Sequence, residues 1–311
     1  MKASSSHPFR SASARAEYLA RYEERARKWP VASETRLLDT PSGQTCVRIG
    51  GRPTDPPLVL LHGVRGNSLM WVPNIAALAA QYRTYALDTI NDTGLSVRRR
   101  PITKPGHLLT WLDEVLAVLF PEGSVRLVGM SFGGWLASLY ALYFPTRLHQ
   151  VVMLAPAATV LRVSLAFILH ALPTLLPGIT FKKRFYYWLL HDTVQSGPIG
   201  WAWVDEVAAD WALAERCFAR LPPVPATVLS DQDLADLKVL SLYLVGENEK
   251  VYPALKAIRR LNRVAPQIKT ELIPNAGHDL WMVQAGVVTK AILDFLAEGE
   301  TRNPVAVRST Q

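Results

Sequence analysis

The sequence predicts an α/β fold, a mostly parallel central sheet flanked by helices and interrupted by a helical insertion. Three observations predict it. From about residue 58 to 154, short apolar runs of strand length alternate with stretches of helical spacing, a β-α-β rhythm that implies a parallel sheet covered on both faces. That rhythm stops at Pro156 and resumes only at Leu240. A strand also passes into a helix through Gly129-Met130-Ser131-Phe132-Gly133, small residues at the point where a chain must turn sharply.

The elements follow in order. Residues 1–30 are polar and of helical composition over 15–29, without the apolar run of a secretory signal, and read as a cytoplasmic N-terminal extension; an Arg- and Ser-rich start leaves a transit peptide as the competing reading. Thr40-Pro41-Ser42-Gly43 is a turn between Arg36-Leu37-Leu38 and Thr45–Ile49, which together read as a hairpin. Leu58–Leu61 is a buried strand closed by His62-Gly63. A helix near 70–80, a strand at Arg83–Asp88, a helix near 107–120, a strand at Val125–Gly129, a helix over 132–144 and a strand at Gln150–Leu154 continue the pattern. Between about 160 and 226 lie helical apolar patterns, prolines and Trp188, Trp201, Trp203 and Trp211. After the strand at Leu240–Val245 come a helix near 253–264, a strand at Lys269–Ile273, the loop Pro274–His278 and a closing helix near 284–297. The expected organisation is an extension at 1–30, a core of 31–156 and 227–298, a helical cap at 157–226 and a disordered polar tail at 299–311.

Composition narrows the function classes. The 311 residues are 49% hydrophobic and 19% charged, and no stretch of about 18 uncharged, continuously apolar residues reads as a membrane span, so stable membrane insertion is not expected. The net charge of +8 is scattered, with small clusters at Arg98–Arg100 and Lys182–Arg184; without an aromatic-interleaved stripe these predict a solvated basic surface and no nucleic-acid partner. Cys46 and Cys217 are far apart and form no CxxC pair, which predicts idle thiols and no metal site. No G-x-G-x-x-G follows the first strand, so no dinucleotide and no other cofactor is expected.

Gly129-Met130-Ser131-Phe132-Gly133 has the form G-x-S-x-G, preceded by an apolar strand and followed by a helix. This is the context of a nucleophile elbow, in which the serine occupies strained backbone at a strand-to-helix turn. A neutral hydroxyl is a poor nucleophile and needs a base, itself held by a third group.

From about residue 30 to 298 the chain resembles the α/β-hydrolase superfamily with a helical cap. His62-Gly63-Val64-Arg65-Gly66 resembles its HG-x-x-G oxyanion loop, and Asp88–Ser96 resembles its D-x-x-G-x-G-x-S loop, here one residue longer. Gly246-Glu247-Asn248-Glu249 and Asn275–His278 resemble the late loops that bring the acid and the base. The wording of Gly246–Glu249 and Asp88–Gly94 resembles a bacterial carboxylesterase-like branch. The resemblance implies a serine hydrolase with catalytic Ser131, Glu249 and His278 in the chain order of that fold. It implies an oxyanion hole from the backbone amides of Val64 and Phe132, with His62, Gly63, Gly129 and Gly133 as supporting loop residues.

Rivals exist for each role. Glu247 and the Asp231/Asp233/Asp236 cluster compete with Glu249; His7, His62, His107, His149, His170 and His191 are weaker bases because none follows a strand exit before the last helix. Arg65 is either a surface arginine or a contact for an anionic substrate. Trp135 is expected to pack under its helix. The leucine-rich, aromatic cap implies a small-molecule substrate with an apolar portion, although Val160–Leu176 also reads as a segment that touches a membrane surface. The expected reaction is cleavage of a carboxylic ester or related acyl compound through an acyl-serine intermediate. Carbon–carbon or amide hydrolysis with the same triad, and a non-catalytic ligand-binding member of the fold, are the alternatives.

Overall fold

The computed structural model describes residues 8–219 and 223–302. Helix α1 (Ala12–Ala26) is followed by the hairpin β1 (Ser33–Thr40) and β2 (Gly43–Gly50), then β3 (Pro57–Leu61), α2 (Ile75–Ala79), β4 (Arg83–Leu87) and the short β5 (Val97–Arg98). Next come α3 (Pro105–Leu119), β6 (Val125–Met130), α4 (Phe132–Tyr143) and β7 (Leu148–Leu154). The insertion contributes α5 (Leu165–Ala171), α6 (Ile179–Leu189), α7 (His191–Gln195) and α8 (Pro198–Cys217). The chain returns through α9 (Asp231–Ala235), β8 (Leu240–Gly246), α10 (Ala254–Val264), β9 (Lys269–Ile273), α11 (Leu280–Val283) and α12 (Ala285–Arg302).

The strands form one sheet in the order β1-β2-β4-β3-β6-β7-β8-β9, with β5 beside β2. All pairs from β4 to β9 are parallel, while β1, β2 and β5 pair antiparallel at one edge. Period-two alternation divides each central strand between two cores. Val59, Leu61, Leu127 and Met153 face the helices that supply Trp111, Trp135 and Leu261, whereas Leu58, Leu60, Val128 and Leu154 face those that supply Ile75, Val288 and Ile292. Burial on both faces is why these strands read as continuous apolar runs. Trp135 is fully buried against Phe132, its indole N–H donating to Thr227 Oγ1 at 3.3 Å. Cys46 and Cys217 are free and buried.

The tail expected from residue 299 starts inside α12, which continues through Arg302, four residues into the segment expected to lack structure. Residues 303–311 lie outside the described residues. The helix extends because Leu296 is fully buried and Glu298 pairs with Lys269 at 2.8 Å, so propagation continues from an anchored turn. The basic clusters are largely consumed locally: Arg98 donates to Asn91, Arg99 pairs with Asp39, Lys182 with Glu215 and Lys183 with Asp205.

Candidate active site

The turn from β6 into α4 places Ser131 at φ 52°, ψ −113°, in the left-handed half of backbone space. Such a conformation costs on the order of 1–3 kcal/mol for a residue with a Cβ. Three backbone hydrogen bonds hold it there: Ser131 N–H to Leu154 O at 2.8 Å, and the amides of Trp135 and Ala157 to Ser131 O at 2.9 and 3.0 Å. Glycine is obligatory on both sides. A Cβ at Gly133 would lie 2.4 Å from Leu61 O, and one at Gly129 would lie 2.2 Å from Gly133 O, so only bare backbone permits strand and helix to cross this closely.

The loops after β8 and β9 meet at a second close approach, where a Cβ on Gly246 would lie 2.3 Å from Ala276 O. Asn248 N–H donates to Ala276 O at 2.9 Å, locking the two loops together. In consequence His278 Nδ1 lies 2.9 Å from Glu249 Oε2 and 3.1 Å from Oε1, and His278 Nε2 lies 2.9 Å from Ser131 Oγ. Glu249 Oε1 also accepts the Val251 amide at 2.7 Å. A carboxylate only accepts, so Nδ1 carries the proton and Nε2 is free to receive one from Ser131. All three side chains are buried. Burial works to lower the pKa of His278, but the charge of Glu249, its hydrogen bond and the nearby Asp279 outweigh it and raise the imidazole above its ordinary 6.5.

Of the rival acids, Glu247 is exposed and accepts from the Asn275 amide; Asp231 pairs with Arg260, and Asp233 caps α9. Among the other histidines, His107 and His149 bond locally and His170 stacks on Trp188 with 4.0 Å between centroids. His191 is exposed, and His7 lies outside the described residues.

His62 orients the loop beside the serine. Its Nε2 accepts the Thr89 amide at 2.9 Å, which leaves Nδ1 protonated to donate to Gly63 O at 2.7 Å. In a trans peptide the N–H opposes the carbonyl, so fixing Gly63 O directs the Val64 N–H the other way. A Cβ on Gly63 would sit 3.4 Å from Ser131 Cβ, which puts this peptide against the serine. Phe132 opens α4, where amides have no intrahelical acceptor.

Three supports escaped sequence reasoning. Asp92 accepts the Arg65 amide through both carboxylate oxygens, at 2.8 and 3.0 Å, and holds Arg65 at φ 60°; Arg65 is an exposed residue whose guanidinium lies 4.4 Å from the Trp211 ring centroid on α8. Fully buried Asp279 accepts from Thr193 N–H at 2.8 Å, Thr193 Oγ1 at 2.6 Å and Gly277 N–H at 3.1 Å, tying the base loop to α7 of the insertion. Burial pushes its carboxyl pKa up, and the Thr193 hydrogen bonds offset part of that rise. The third support is α1, which straps insertion to core. Tyr22 OH donates to buried Asp88 at 3.3 Å and Tyr18 OH accepts from Asn67, while Arg21 and Arg25 pair with Asp210 and Glu206 of α8. Burying the two tyrosines contributes about 1.5–3 kcal/mol each, more than the partly exposed ion pairs at about 0–1 kcal/mol each, so the aromatic face anchors the helix. A signal for Asp279 lay beside His278 in the chain, but nothing in the sequence pointed to Thr193.

Ser131 and His278 open onto a cavity of about 620 Å³ roofed by the insertion, with Phe167, Leu172, Phe185, Trp203, Trp211 and Trp281 among its lining residues. A depression of about 950 Å³ between α1 and α8 contains none of Ser131, Glu249 and His278.

Residues 58–291 match the model of the alpha/beta hydrolase family. An uncharacterized carboxylesterase, nap, of Bacillus subtilis (strain 168) is 33% identical over 288 residues, 89% of this chain and 91% of that protein. Carboxylesterase YbfK of the same organism is 29% identical over 278 residues, 89% of this chain and 93% of that protein. The crystal structure of naproxen esterase (carboxylesterase NP) from Bacillus subtilis superposes with a TM-score of 0.83 at 31% identity, covering 92% of this chain and 99% of the other. With that match over most of its length, and with the parallel sheet and the elbow in the order described, the chain belongs to the alpha/beta hydrolase family.

Proposed function

We propose that the protein is a hydrolase of carboxylic esters, with Ser131 as nucleophile, His278 as general base and acid, and Glu249 as the group that holds the imidazole. The observation that carries this reading is the continuous hydrogen-bonded line Ser131 Oγ–His278 Nε2 and His278 Nδ1–Glu249 at the wall of an apolar cavity. The carboxylesterase names of relatives matched over 89% of the chain support the bond type.

In the first half-reaction Ser131 Oγ attacks the ester carbonyl carbon as its proton passes to His278 Nε2. The oxyanion of the tetrahedral intermediate is met by the Val64 and Phe132 amides, donors that need no reorganisation as charge develops. His278 then returns the proton to the alkoxide, the C–O bond breaks and the alcohol leaves. Water repeats the sequence on the acyl-serine, releasing the acid and restoring Ser131. The apolar lining favours an acyl or alcohol portion of low polarity, and its burial supplies the binding energy.

The test is hydrolysis of p-nitrophenyl esters of increasing acyl length by wild type and Ser131→Ala, with fluorophosphonate labelling in parallel. Turnover and labelling lost together in the variant are the expected result. Labelling without turnover across the series redirects the substrate to an amide or a carbon–carbon bond. Absence of both in folded protein overturns the hydrolytic reading.

A further inference from the structure

The segment joining α5 to α6 has a surface that catalysis alone does not explain. Helix α5 buries no residue. Of the sixteen large apolar side chains that the described residues expose, seven fall between Leu165 and Ile179, each 46–70% exposed. Scattered apolar side chains are ordinary on a protein surface, but a concentration of this kind marks an interaction site. The patch is held firmly in place. Thr174 is buried and donates to Ala171 O at 2.6 Å, and fully buried Lys182 donates to Leu176 O at 2.6 Å while pairing with Glu215 of α8 at 2.8 Å. The leucines are therefore presented on an anchored turn.

Two further observations identify what covers this face. First, the patch is continuous with the catalytic cavity: Ile168, Leu172 and Leu175 are exposed to solvent and also line it. An apolar molecule leaving the surface on which the patch rests would enter the cavity without crossing water. Second, the charges that the segment itself carries have one sign. From Gly123 to His191 the chain contains no aspartate or glutamate. Arg162 and Arg184 flank the patch in sequence, are exposed, and make no ion pair among the described residues.

We propose that the α5–α6 face docks on the surface of an anionic lipid aggregate and that the substrates are apolar esters drawn from that surface into the cavity. The substrate part rests on the ester-hydrolase reading above; the docking part does not. Partition of exposed leucines into an interface supplies the attraction, and Arg162 and Arg184 orient it toward negative headgroups.

The experiment is flotation of Ser131→Ala protein with vesicles of phosphatidylglycerol or of phosphatidylcholine. Co-flotation with phosphatidylglycerol, and weaker co-flotation with phosphatidylcholine, is the expected result. The triple variant Leu165→Ser/Leu169→Ser/Leu176→Ser changes exposed residues that do not line the cavity. It should bind phosphatidylglycerol vesicles on the order of tenfold or more weakly, while in the Ser131 background its rate on a monomeric short-chain ester stays at the wild-type value. Arg162→Glu/Arg184→Glu should lose the preference for the anionic vesicle. No flotation with either vesicle overturns the proposal, as does equal flotation with both. A concentration-dependent dimer that the triple variant abolishes, without flotation, assigns the face to a second copy and likewise overturns it. Failure of ester hydrolysis alone would strike the catalytic reading and leave flotation unchanged, so the two failures are distinguishable.

Discussion

Replacing Glu249 by glutamine tests the central arrangement most sharply, because the structure dictates how the amide must sit. Glu249 Oε1 accepts the Val251 amide at 2.7 Å. Only an oxygen satisfies that donor, so in Glu249→Gln the NH2 takes the place of Oε2, 2.9 Å from His278 Nδ1. An NH2 donates, so the shorter of the two contacts survives only when Nδ1 becomes an acceptor and the ring proton moves to Nε2, against the 3.1 Å contact to Oε1 that favours the original tautomer. Nε2 faces Ser131 Oγ at 2.9 Å, so with the proton moved the base is protonated where it should be empty, and the imidazolium loses its counter-charge. A wrong-tautomer substitution of this type lowers kcat/KM by roughly 10³–10⁴, or about 4–5.5 kcal/mol of transition-state stabilisation. Both amide atoms remain hydrogen-bonded, so stability should change by less than about 1 kcal/mol. The assay is p-nitrophenyl ester turnover beside a thermal melt, with Glu247→Gln as an exposed control expected to stay within ~twofold. Activity of Glu249→Gln within about tenfold of wild type would falsify the assignment of Glu249 and of the tautomer derived from it.

Further outcomes rest on the same geometry. Because His278 titrates above 6.5 and must be neutral to act, kcat/KM should fall as pH drops through a midpoint above that value. The protonated ring beside Glu249 contributes stability that is complete below 6.5 and is lost as pH rises through the raised pKa, so the melting temperature should decline across the window in which activity climbs. Gly133→Ala would drive a Cβ to 2.4 Å from Leu61 O and 2.6 Å from His62 O; a stability loss of about 1–3 kcal/mol or more, visible in urea melts, should accompany loss of fluorophosphonate labelling. Thr193→Val removes one donor to fully buried Asp279 while keeping the backbone one. It should cost about 1–3 kcal/mol, and Thr193→Ser should restore most of it. Asp279→Asn should move the acid limb of the pH profile to lower pH, since it removes a negative neighbour of His278; an unmoved limb would confine Asp279 to holding the loop.

Legibility differed between parts of the molecule for physical reasons. Strands β3, β6 and β7 were readable because each is buried on both faces, so burial was written into continuous apolar runs. The elbow was readable because two glycines and a serine at a strand-helix junction answer a steric demand met within five residues. Boundaries were less legible where neighbours far along the chain decide them, as with α12, which continues to Arg302 beside Lys269. The N-terminal helix was recognised as a helix, but its role in strapping the insertion to the core depends on Asp88, Asn67 and Asp210, residues 49 to 189 positions away.

Sequence by itself therefore determined the α/β class, the element order, the elbow and the chain order of Ser131, Glu249 and His278, since these are properties of local periodicity, backbone sterics and recognisable loops. Tertiary structure decided which carboxylate faces His278 and that Asp92 braces Arg65. It also decided that Thr193 of the insertion grips the base loop and that α5 turns its leucines outward instead of burying them. Helical spacing states that an apolar stripe exists; what the stripe meets depends on how much partner surface the rest of the chain can bring to it, and beside α5 that surface was left open.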